Sequence, residues 1–138
     1  MRLWFIIFLL AVSCDSPLIQ EVKESYPDGS PKVVYFYEVS NEDSLLKKHR
    51  EYHANGQLRI EGQYDENEKR TGVWRAFYKD GVLQSQAEFL QGYRNGHTHV
   101  YYTNGVKRYS GKFALGKKTG TWTYTDSLGI VLRKEEHP

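Results

Sequence analysis

Large apolar residues recur along this chain in step with a glycine turn. The turn glycines Gly29, Gly56, Gly81, Gly105 and Gly129 are separated by 27, 25, 24 and 24 residues, and a second series, Gly72, Gly96 and Gly120, runs at a step of 24. With each turn glycine as position zero, position −7 holds Trp74, Thr98 and Trp122. Position −3 holds Tyr26, His53, Tyr78 and Tyr102, and +2 holds Leu58, Leu83, Lys107 and Val131. Position +6 holds Gly62, Ala87 and Gly111, and +8 holds Tyr37, Tyr64, Phe89 and Phe113. Arg59, Glu61, Gln63, Gln84, Gln86, Glu88, Arg108, Ser110 and Lys112 fall between them. This is the period of two of half-buried antiparallel strands, one face aromatic and the other polar.

The Asn-Gly and Asp-Gly pairs predict two-residue type I′ hairpin loops that pair −3 with +2, −5 with +4 and −7 with +6. Trp74 then faces the small Ala87, and a slip of one residue would scatter the apolar set over both faces. The second glycine series precedes the Trp position and follows a longer polar connection, such as Asp65 to Thr71 or Leu115 to Thr119. The expectation is an all-β antiparallel meander of five hairpin units and nine or ten short strands, with no helix. A fixed period of this length is one small unit copied and stacked, with atypical end units. Asn41 to Leu46 in the first unit lacks the Gly and the Trp, and the last unit is cut short after Leu132. A single sheet this long curls to cover its aromatic face, or covers it by dimerising.

Composition adds little pull toward a partner. Over 138 residues the net charge is +2, so no strong field selects nucleic acid, and none is expected as partner. There are 11 Tyr, 6 Phe and 3 Trp, which suit strands. The one cysteine, Cys14, cannot form an internal disulfide.

Cys14 is explained by its position. Arg2 precedes ten unbroken apolar residues, Leu3 to Val12, too short to span a membrane at about 20 residues but suited to a secretory signal. Leu10-Ala11-Val12-Ser13-Cys14 resembles the lipobox of bacterial lipoproteins. The resemblance implies a signal peptide over 1–13, lipid attachment at Cys14, a polar tether over 14–25 and a repeat domain over 26–138. It places the domain in the cell envelope, held to the membrane by the lipid on Cys14.

Glu61-Gly62-Gln63-Tyr64, Gly72-Val73-Trp74, Phe77-Tyr78, Tyr101-Tyr102 and Gly120-Thr121-Trp122 resemble the bacterial variant of the MORN repeat over about residues 26 to 135. Thr98, Lys107 and the poor first unit depart from it. Proteins of this kind are often described as YwqK-type antitoxin components, and MORN repeats otherwise as protein-interaction or lipid-associated modules. The resemblance implies a protein partner, a toxin in the antitoxin case. Fold analogy alone is a weak warrant for either.

No set of residues argues for catalysis. His97 and His99 share a face but lack the further ligands of a metal site. Glu61 and Glu88 recur because the unit recurs, and the serines have no triad context. The glycine pairs lack the Lys-Ser/Thr of a phosphate loop, so no cofactor is expected. Lys117-Lys118 with Tyr93-Arg94, and Lys107-Arg108, could form a basic strip beside aromatics suited to single-stranded nucleic acid, but the secretion signal argues against that partner and scattered Lys and Arg read as protection against edge pairing. The structural repeat positions are Gly56, Gly72, Trp74, Gly81, Gly96, Gly105, Gly120 and Trp122. The aromatic stripe, with Tyr78, Tyr102, Tyr109 and Tyr124, is either core or a partly open binding face. The expected function is non-catalytic: binding or scaffolding a protein partner at the envelope, or neutralising a dedicated toxin.

Overall fold

The computed structural model describes residues 17–41 and 43–138. The signal segment and the lipid-attachment residue Cys14 lie outside the described residues. Ten strands follow in chain order: β1 (Ile19–Ser25), β2 (Pro31–Ser40), β3 (Asp43–Tyr52), β4 (Leu58–Tyr64), β5 (Arg70–Phe77), β6 (Leu83–Leu90), β7 (Tyr93–Tyr101), β8 (Lys107–Ala114), β9 (Lys117–Thr125) and β10 (Val131–His137). They form one antiparallel sheet in sequence order, open at β1 and β10. Each strand packs on its chain neighbours, so the sheet is a stack of hairpins.

Residues 19–25, assigned above to a tether, instead form β1. All seven are exposed, so the segment carries no burial pattern to read. Backbone pairing to β2, from Ile19 opposite Tyr37 to Ser25 opposite Pro31, holds it in place.

The central register is as the period predicts: Trp74 faces Ala87, Ala76 faces Ser85, and Thr98 faces Gly111. The turn types, however, differ from that expectation, and the β4–β5 connection is also a three-residue loop, with Glu68 at the positive-φ position. The Asn-Gly and Asp-Gly turns are three-residue loops. Gly105 N–H donates to the Tyr102 carbonyl at 2.9 Å, and Tyr102 N–H to the Val106 carbonyl at 2.8 Å. Among these turn residues only the glycine has positive φ, +80° at Gly105, the pattern of a type I turn closed by a G1 bulge. The Asn or Asp before the glycine fixes the turn with its side chain: Asn104 Oδ1 accepts from Val106 N–H at 3.1 Å, and Asp80 Oδ1 from Val82 N–H at 3.1 Å. The extra residue shifts the pairing beside the loop, so Leu83 faces Phe77 rather than Tyr78.

The two-residue loops with both φ positive lie where longer connections were expected, at Gln91-Gly92 (51° and 87°) and Leu115-Gly116 (45° and 84°). Gln and Leu rarely adopt such φ, so only the second residue of each loop, Gly92 or Gly116, suits it. Bonds from neighbouring strands pin them: Gly92 N–H donates to Arg70 O at 2.9 Å and Gly116 N–H to Arg94 O at 2.8 Å. Gly72, Gly96 and Gly120 also have positive φ and sit at bulges, where β5, β7 and β9 gain two residues on the preceding strand. A gain of two leaves the inward and outward faces unchanged.

A Cβ on Gly105 would meet nothing within 4 Å. Gly105→Ala therefore isolates the backbone cost of a left-handed residue, and a loss of about 1–2 kcal/mol is expected in urea unfolding. A change within error would mean the loop relaxes to another turn.

The core lies on the aromatic face. Trp122 and Trp74 are 2% and 6% exposed, with Leu46 and Ala87 also buried, while Val34, opposite Arg50, is buried on the other face. The two buried polar residues among those described are His49 and Thr98. Both occupy the Trp position of their units, so the β3–β4 hairpin also has a counterpart to Trp74. Its ring centroid lies 5.1 Å from Tyr35 and 5.5 Å from Trp74, and Glu51 Oε1 lies 3.0 Å from its Nε2.

Candidate functional site on the aromatic face

Three residues build each tryptophan site, and all come from the repeat. Beneath the ring lies a small residue on the preceding strand. A Cβ on Gly62 would stand 2.0 Å from Trp74 Cδ2, and one on Gly111 would stand 2.2 Å from Trp122 Cδ2. Only glycine allows the indole to lie on the backbone this way. Over the ring lies a cation. The Arg70 guanidinium is 4.2 Å from the Trp74 centroid, and Lys118 Nζ is 4.5 Å from that of Trp122. These are cation–π distances. The indole Nε1–H is satisfied by a backbone carbonyl, that of Gln63 at 3.1 Å for Trp74 and of Lys112 at 3.2 Å for Trp122.

Neighbouring rings complete two clusters. Tyr64 and Phe89 meet Trp74 edge-on at 5.4 and 6.1 Å. Phe113 meets Trp122 edge-on at 5.0 Å, with Tyr109 at 6.2 Å. Such T-shaped contacts are favoured by the ring quadrupoles. Burial pushes the Tyr64 phenol above its usual pKa. The hydrogen bond from Lys118 Nζ to the Tyr124 hydroxyl, 3.0 Å, holds the ammonium above its usual pKa.

Between the clusters the series is interrupted. The middle unit keeps its cation, Arg94, but has Thr98 for the tryptophan and Ala87 for the glycine. An open depression of about 290 Å³ lies there, bounded by Ser85, Ala87, Arg94, Thr98, Val100 and Tyr109.

The four tyrosines expected on a binding face have different places. Tyr78 and Tyr102 stitch successive hairpins: their hydroxyls donate to Tyr101 O at 2.8 Å and Thr125 O at 3.0 Å. Tyr26 does the same to Tyr52 O at 2.9 Å, and a His53 ring nitrogen lies 2.9 Å from Phe77 O. Asn55 and Asn104 Nδ2 donate to Lys79 O and Ser127 O, each at 2.8 Å, so the turns stack along one end of the sheet. Tyr109 and Tyr124 pack on each other at 5.7 Å beside Trp122.

The basic residues are drawn into this packing. Arg94 lies 5.4 Å from the Phe113 ring and Arg108 5.6 Å from Tyr102, in place of a free cationic strip. The cations Arg70, Arg94 and Lys118 recur at the repeat step.

On the polar face, His97 and His99 stack nearly parallel, 14° apart with centroids at 5.9 Å. Burial first, then Lys107 and His97, holds the His99 imidazole below its usual pKa. Among the described residues no group of three or more His, Cys, Asp or Glu is placed to hold a metal ion. Glu61 lies between Arg50 and Arg75 at 3.7 and 3.8 Å, and Glu88 Oε2 accepts from His97 N–H at 3.1 Å. The two repeated carboxylates are thus held by different neighbours. Among the described residues no helix is long and apolar enough to cross a membrane, which leaves β-strand spans unaddressed.

The MORN repeat variant family matches residues 46–66 and 70–91. The first match runs through β3 and β4 and the second through β5 and β6, so each match is one hairpin. No curated protein matches the chain. Among solved structures it is similar to a chain in the crystal structure of the GtfA/B complex bound to UDP and GlcNAc, at 18% identity and TM-score 0.33. The overlap is 80% of this chain but 21% of that one, and at this score it carries no argument about fold or function. The hairpins β3–β4 and β5–β6 match the MORN repeat variant, and the same meander of antiparallel strands continues on either side of them.

Proposed function

We propose that this protein is a non-catalytic envelope lipoprotein, anchored through Cys14, whose repeat domain binds or scaffolds a protein partner. The observation that carries the reading is the open repeat sheet, whose units match a repeat family often found in protein-binding and scaffold domains. Its edges support it. Ile19 and Val22 in β1, and Val131 and Leu132 in β10, are 47–65% exposed on strands with one unpaired side each. Unpaired edges with apolar side chains are templates for another chain. The leader supports the anchor: a charged start, a ten-residue apolar run, and the sole cysteine after a small residue.

The test is crosslinking of the tagged full-length protein in its own membranes, followed by mass spectrometry, with Cys14→Ala alongside. One stoichiometric protein partner is the expected result, and a toxin as that partner would make the protein its antitoxin. Only self-crosslinks, lost with Cys14→Ala, would replace partner binding with self-association. An unchanged membrane fraction for Cys14→Ala would overturn the lipid anchor.

A further inference from the structure

We infer that the depression at Thr98 is a receptor for a single aromatic side chain, an indole above all, presented by an extended segment of a protein partner. This rests on the protein-binding reading and names the contact through which it would act.

The flanking units supply the argument. In both, an indole lies between a small residue on the strand before and a cation at the start of its own strand. Those are Gly62 and Arg70 around Trp74, and Gly111 and Lys118 around Trp122. The middle unit has both bounding residues, Ala87 and Arg94, and a bulge with the same gain of two residues, placed so that Ala87 pairs with Thr98 and no ring lies between Ala87 and Arg94. The carbonyl equivalent to the indole acceptors Gln63 O and Lys112 O is that of Glu88.

Thr98 shows that the place is not merely filled by a smaller core residue. It is 1% exposed, and its Oγ1 has no hydrogen-bond partner. A buried hydroxyl without a partner is costly and is relieved by a donor or acceptor brought from outside. Rotation of the Thr98 side chain toward the depression would bring this hydroxyl within reach of a guest indole N–H. A depression of about 290 Å³ lies at the small end of ligand sites, which run to about 1,000 Å³, so it suits one ring rather than an extended ligand. The Ala87 methyl occupies the level at which the resident indoles touch glycine. The guest ring therefore sits further out, nearer Arg94, where it can be reached from the open side. Arg94 contributes a guanidinium to its face.

The test is a titration of the full-length protein in detergent with N-acetyl-tryptophanamide, followed by methyl NMR of Ala87, Thr98 and Val100. Saturable shifts at these three methyls are expected, with smaller ones at Ala76 and Thr123. The double variant Thr98→Trp/Ala87→Gly rebuilds the flanking arrangement with the chain's own ring, and should weaken binding by about tenfold or more. Arg94→Gln leaves the pocket open and should weaken binding about three- to tenfold, which decides the matter if the double variant misfolds. No saturable shift, or full affinity in both variants, would overturn the receptor. Methyl shifts with no captured protein would sink the protein-binding reading and leave the pocket standing. A captured partner with no methyl shifts would do the reverse.

Discussion

Replacing Trp122 by alanine is expected to lower unfolding stability by about 3–5 kcal/mol, the range for removing a buried tryptophan. Trp122 is 2% exposed, and its ring is enclosed by the Gly111 backbone beneath, Lys118 above and Phe113 at its edge. Truncation leaves a void that cannot collapse, because the Gly111 backbone is fixed by its ladder bonds to β7. It also strands the Lys112 carbonyl that accepts the indole N–H. With about 4–8 °C per kcal/mol for a domain near this size, the melting temperature should fall by at least about 10 °C. Urea titration at constant slope gives the free energy directly. A loss below about 1 kcal/mol would mean that the ring is dispensable packing, and the aromatic stripe would have to be read as a binding face.

Gly62→Ala should cost about 3 kcal/mol, the upper part of the usual range for overpacking a core. The added methyl would stand 2.0 Å from Trp74 Cδ2, well inside contact distance, and the indole is the core it would displace. The ring cannot move outward freely, since Arg70 covers it at 4.2 Å and Phe89 meets it at 6.1 Å. The middle unit indicates the remedy, because Ala87 is paired with Thr98 there. Trp74→Thr should therefore cost less in the Gly62→Ala background than alone, by about 1–2 kcal/mol of coupling. Equal costs in both backgrounds would show that small residue and ring do not constrain one another.

The pair Gly62–Trp74 also shows how far the repeat could be read. The positions −7 and +6 could be aligned from the chain alone, and Trp74 duly pairs with Ala87. The residue directly beneath the ring is on the strand before, and only strand order reveals it. His49 shows the same limit. It stands seven residues before Gly56, yet a polar residue does not announce a core position until Tyr35 and Trp74 are seen on either side of it. The turns misled for a local reason. Asn-Gly and Asp-Gly fit a type I′ loop and a type I turn with a glycine bulge equally well, and the choice depends on the bonds closing the loop.

The receptor site was still less legible. Arg94, Thr98 and Ala87 are ordinary residues singly. They form a site only because the repeat registers them against two occupied copies.

The amino-acid order alone set the period, the antiparallel pairing and the division into aromatic and polar faces. These follow from side-chain alternation and turn residues, which act over a few positions. Folding in three dimensions settled the rest. It fixed the turn types, recruited the exposed β1, laid Trp74 and Trp122 over glycine backbones, placed a cation over each of these two rings and left the Thr98 hydroxyl without a partner. Those features depend on which groups the folded strands bring together, where distance and burial rather than local preference decide.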